Sequence, residues 1–118
     1  MTRAKKIFWV LLVIAIIGIV IVPIVTIQAN KHTYKKRVAN YLIAEKGYEK
    51  ENIESIDGKW GIKLPTYYVI VTFQNETYVE YVYFAHDNDI FQFNYKITEE
   101  GQQMGIKEED LINYNPRY

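Results

Sequence analysis

Three patterns of hydrophobic and polar positions follow one another along the chain. From Ile7 to Ile27 there is no polar face: all 21 residues are uncharged, and sixteen are Ile, Val, Leu or Phe. At about 1.5 Å per residue a helix of that length measures about 32 Å, close to the hydrocarbon thickness of a bilayer. The pattern predicts a short N-terminus at 1–6 and a transmembrane helix at 7–27 that needs no protein partner to bury it. Trp9 suits an interfacial anchor, and Pro23, which removes one backbone hydrogen bond, predicts a kink.

The second pattern is helical. No glycine or proline occurs from Ile24 to Lys46, and Tyr34, Val38, Tyr41 and Leu42 recur at helical spacing, so the anchor is expected to continue as an amphipathic helix that stops at Gly47.

The third pattern has the period of strands. Runs rich in Tyr, Val, Ile and Phe occupy Tyr67 to Phe73, Tyr78 to Phe84 and Ile90 to Ile97, after a shorter segment, Ile53 to Asp57, and a turn-rich stretch from Gly58 to Pro65. In the last run Phe91, Phe93, Tyr95 and Ile97 alternate with Gln92, Asn94 and Lys96. With Gln74 to Thr77 and His86 to Asp89 read as tight connections, Phe73 faces Tyr78 and Phe84 faces Phe91. One face then carries Tyr67, Val69, Val71, Phe73, Tyr78, Val82, Phe84, Phe91, Phe93, Tyr95 and Ile97 beneath the helix, with Glu80 as its misfit. The other face carries Tyr68, Tyr81, Tyr83, Gln92 and Asn94; a different loop register would exchange these assignments for the middle strand.

The fold class expected is therefore α+β: a transmembrane helix continuing into an amphipathic helix packed on a small antiparallel meander of three to four strands. The domain would span 28–97, followed by a C-terminal tail at 98–118 with a short helix from Lys107 to Ile112.

Charge and composition narrow the function. Lys and Arg balance Asp and Glu at 14 each, but Arg3, Lys5 and Lys6 precede the apolar segment, so the remainder is mildly acidic at about −3 and no nucleic-acid partner is expected. There is no cysteine, which excludes disulfides, thiolate metal sites and cysteine nucleophiles. Ser55 is the only serine, and His32 and His86 are the only histidines. No convergent catalytic set can be assembled from them, and the chain is expected not to be an enzyme and to carry no cofactor or metal. The acidic turn Asp87-Asn88-Asp89 reads as turn chemistry, Asn75-Glu76-Thr77 as a hairpin turn, and Trp60 as a plug returning to the core.

The positive-inside count is a tie between the N-terminus and the cluster Lys31, Lys35, Lys36 and Arg37. A tail of six residues has nothing to translocate, so the N-terminus is expected in the cytoplasm and the domain outside it, in a single-pass cell-membrane protein that touches lipid through Ile7 to Ile27. A cleaved signal peptide ending near Ile27-Gln28-Ala29 is the competing reading, disfavoured because the apolar stretch exceeds the usual h-region.

The stretch Tyr41-Leu42-Ile43-Ala44-Glu45-Lys46-Gly47-Tyr48, the spacing of Ile53, Ile56 and Gly58, and the Tyr/Val-rich hairpin together resemble domain of unknown function 3139. The resemblance implies a short, membrane-anchored protein of the Gram-positive cell envelope and brings no activity or catalytic residue. The leading expectation is a membrane-tethered, non-enzymatic interaction module that uses Tyr68, Tyr81, Tyr83, Gln92 and Asn94 against a protein, peptide or envelope component. The alternative is a small regulator or immunity-type protein acting on a larger membrane partner through its transmembrane helix.

Overall fold

The computed structural model describes residues 2–62, 66–86 and 89–116. Asp87 and Asn88 of the acidic turn, and Pro65, fall outside them. Contacts divide the chain into two compact units, one up to Asn30 and one from Lys31 onward.

Both units share the helix α1, Arg3–Ala44, which begins four residues before the apolar stretch and runs through Pro23 without interruption. In the first unit its most apolar stretch is long and hydrophobic enough to cross a membrane, and none of it is buried. In the second unit Val38 and Leu42 on the same helix are completely buried. The helix ends as its sequence demands: Gly47 takes φ +74°, and the Tyr48 N–H donates back to the Leu42 carbonyl at 3.0 Å.

Four strands follow: β1 Ile53–Trp60, β2 Tyr67–Phe73, β3 Glu76–His86 and β4 Asp89–Ile97. They form one antiparallel meander in chain order. The α+β architecture is the expected one, and β1 is longer than anticipated, passing through Gly58 to Trp60. At Gly58 a Cβ would stand 2.4 Å from the Lys31 carbonyl oxygen, so only glycine lets α1 lie this close to the strand.

The expected faces need correction at β3. The turn between β2 and β3 is two residues long, Gln74-Asn75, because Phe73 pairs with Glu76. An irregularity then inserts extra residues into β3, so that Val71 pairs with Tyr81 and Val69 with Tyr83. The net slip is one residue from the expected register, and one residue reverses every side chain of the strand. Val79, Tyr81, Tyr83 and Ala85 therefore face the helix and are buried, while Glu80, Val82 and Phe84 turn to the opposite face. A bulge in β4 completes the change: Asn94 pairs with Val82 and Gln92 with Tyr83, leaving Phe93 as the extra residue. Tyr95 and Ile97 stay on the helix side as expected, whereas Phe91 and Phe93 do not.

The inner face is covered twice, by α1 from Tyr34 to Leu42 and by the tail. A short helix α2, Glu99–Gln103, starts at Thr98, whose hydroxyl accepts from the Gly101 N–H at 3.2 Å. The expected Lys107 to Ile112 helix is only a 3-10 turn at Glu108–Asp110. Beyond it Leu111 and Tyr114 pack against the core, and Pro116 bridges Gln92. Trp60, expected as a plug, is 44 % exposed at the end of β1.

Candidate interaction surfaces

The five residues nominated as an interaction face are not brought together on one surface. Tyr81, Tyr83 and Gln92 lie inside, Tyr68 is half-buried on the opposite face, and Asn94 is exposed there. Their separation follows from the one-residue slip in β3 together with the β4 bulge.

The three inside belong to a polar network that fastens the tail to the sheet. Its centre is Glu76, 8 % exposed at the start of β3. Oε1 of Glu76 accepts from the Tyr81 hydroxyl at 2.5 Å, from the Asn113 N–H at 3.1 Å and from Asn113 Nδ2 at 2.9 Å, while Oε2 accepts from the Ile112 N–H at 2.8 Å. Asn113 also donates to Asn75 Oδ1 and accepts from the Tyr48 hydroxyl, both at 2.9 Å. Gln92 extends the network by donating through Nε2 to the Tyr83 hydroxyl and the Asn113 carbonyl at 3.0 Å each, and by accepting from the Asn115 N–H at 2.7 Å. Among the described residues no buried side-chain polar atom lacks a partner. A network in which every buried polar atom has a partner fastens the tail to the sheet.

Burial, and then the Glu76 carboxylate that accepts its proton, push the Tyr81 phenol far above its ordinary value. Burial raises Tyr83 strongly as well, against the lowering effect of the Gln92 amide, and burial with Glu76 raises Tyr48. All three phenols are held in the neutral form.

Glu80, the expected misfit beside Val71 and Tyr95, instead pairs with Lys96 on the outer side, and Tyr81 takes the place between those two residues. The buried carboxylate is Glu76, whose place in Asn75-Glu76-Thr77 reads in the sequence as a turn. Its partner Asn113 lies 37 positions away in a segment with no period, and no local signal joins the two. Ser55, His32 and His86 are all exposed, and among the described residues no group of acidic or histidine side chains is arranged to hold a metal ion.

Across the other side of the sheet no helix or strand among the described residues is packed. Its central rows, Asp57-Ile70-Val82-Asn94 and Lys59-Tyr68-Phe84-Phe91, are read from the strand register, and no residue in them is fully buried. Phe84 and Phe91 contact with ring centroids 5.4 Å apart, and Phe91 meets Phe93 edge-on at 6.4 Å. An aromatic ridge flanked by Ile70, Val82 and Tyr68, all half-buried, thus sits on the face away from the helix.

A family model described as a protein of unknown function (DUF3139) matches residues 5–83. The chain belongs to this family. In this DUF3139 protein the match covers the apolar helix, the close approach at Gly58 and the lock residues Glu76 and Tyr81. It stops before Gln92 and Asn113, so the tail that completes the lock lies beyond the matched region. No curated protein and no solved structure matches the chain.

Proposed function

We propose that the chain is a membrane-tethered, non-enzymatic interaction module, with its N-terminus in the cytoplasm and its domain outside. The observation that carries this reading is the helix surface from Ile7 to Val25, where apolar side chains stand bare while the second unit is closed on its own core. A helix so exposed is at home only in lipid or against another apolar helix. Tethering leaves the half-buried aromatic face away from the helix, centred on Tyr68, Ile70, Val82 and Phe84, to meet a protein, peptide or envelope component. This face replaces the one expected from sequence.

The test is alkaline extraction of membranes combined with protease treatment of intact cells carrying a C-terminal tag. Full-length mass in the extracted pellet, with a tag digested from outside, supports the proposal. Release as a soluble fragment would show a cleaved leader, and a tag digested only after lysis would place the domain in the cytoplasm.

A further inference from the structure

The two edges of the sheet are treated differently. The β4 edge meets the chain's own tail at the Gln92 and Pro116 bridge, whereas β1 is the other edge strand and, among the described residues, pairs only with β2. The direction of its backbone groups follows from the hairpin. Gly61 N–H donates to the Thr66 carbonyl at 2.9 Å, which makes that a hydrogen-bonded pair. Alternation along the antiparallel ladder then turns the amides of Ser55, Asp57 and Lys59 toward β2, and those of Ile56 and Gly58 outward. An outward row of amides is a template for another strand.

Beside this edge lies a groove of about 400 Å³ between β1 and α1. The helix contributes Lys35, Ala39 and Ile43, one stripe at four-residue spacing, and the strand side contributes Ile53 and Ile56. Ile43 is 45 % exposed there, an apolar side chain on the wall of an open groove. Lys35 stands on the helix wall and Lys50 precedes β1, both exposed. The one acid on the lining, Glu54, already accepts a hydrogen bond from Gln74 Nε2. The groove therefore presents an apolar floor, an outward-facing strand edge and two lysines against one glutamate that is already hydrogen-bonded.

We propose that this groove binds an extended, acidic peptide segment as an added strand on β1. Backbone pairing to Ile56 and Gly58 supplies affinity, alternate apolar side chains enter between Ala39, Ile43 and Ile56, and carboxylates meet Lys35 and Lys50. A lipid surface could satisfy the lysines, but it has no amides to pair with the edge. The inference rests on reading the domain as a binding module, but on neither the membrane tether nor the aromatic face, which lies on the other side of the sheet.

The test uses the full chain in neutral detergent micelles and a short fluorescent peptide alternating valine with glutamate, read by anisotropy. Controls are its lysine-for-glutamate counterpart and a version N-methylated on alternate amides, which cannot pair with a strand. Saturable binding of the acidic peptide is expected, weakened about tenfold or more by N-methylation or by Ala39→Arg, a step of one decade in Kd. The Lys35→Glu/Lys50→Glu double variant, altering two exposed side chains, should reverse the preference toward the lysine peptide. Equal binding of both peptides, indifference to N-methylation, or binding only to anionic phosphatidylglycerol vesicles would overturn the proposal. Failure of membrane retention, or of Phe84 and Phe91 variants to change partner binding, would leave it untouched.

Discussion

At Glu76 one carboxylate accepts four hydrogen bonds, from a tyrosine hydroxyl, an asparagine side chain and two backbone amides of the tail. Removing the acceptor strands those donors where little water can reach them, and each costs on the order of 1–3 kcal/mol when left unpaired. Glu76→Ala is therefore expected to destabilise the domain by at least about 3 kcal/mol in urea unfolding. Glu76→Gln keeps the shape and one acceptor oxygen and should lose distinctly less. Equal losses for the two variants would mean that packing around the side chain, and not its acceptor capacity, fastens the tail. This residue also marks where sequence reading stopped. In the sequence Tyr81, Tyr83 and Gln92 read as one outward face with Tyr68 and Asn94, because a strand's period says which residues alternate together and not which side is covered.

At the scale of elements, the helix, its glycine stop and the four-stranded order were legible, because each is written in local spacing: the uncharged run at Ile7 to Ile27, Gly47 after a helical stripe, and alternation in β4. The faces of β3 were not, because the residues inserted between Glu76 and Tyr81 decide them and no periodicity reports a bulge. The bulge at Phe93 was hidden for the same reason. In the sequence Gly58 shows only as part of a spacing with Ile53 and Ile56. Its role is steric, since α1 passes so near β1 that a methyl group would overlap the Lys31 carbonyl at 2.4 Å. Gly58→Ala is expected to push the helix off the strand and to cost about 1–3 kcal/mol, the usual range for overpacking, seen as a lower urea midpoint. Gly18→Ala, with nothing within 4 Å of the added carbon, should show no such loss within the chain.

Across the whole molecule, the buried phenols make stability depend on pH in one direction. Tyr48, Tyr81 and Tyr83 bind their protons more tightly when folded than their ordinary value of 10.0 allows when unfolded. Below about pH 10 both states are protonated and the contribution is fully present. Above it the unfolded chain releases these protons while the folded one keeps them, so unfolding becomes easier. Urea midpoints, followed by circular dichroism, should change little on account of these groups between about pH 8 and 9 and fall steadily beyond about pH 10. Tyr81→Phe should flatten that fall. A midpoint unchanged through pH 11 would mean that the phenols titrate freely in the folded domain.

The tail lock also imposes an order of events. Each hairpin of the meander joins residues near in sequence, whereas Glu76 and Asn113 must close a span of 37 positions onto a surface that exists only once β3 has paired. In a chain gaining structure, the Glu76 carboxylate is expected to stay hydrated until the sheet is in place and to give up its water last. By microscopic reversibility the same clasp is expected to open first, with the domain coming apart from its tail inward.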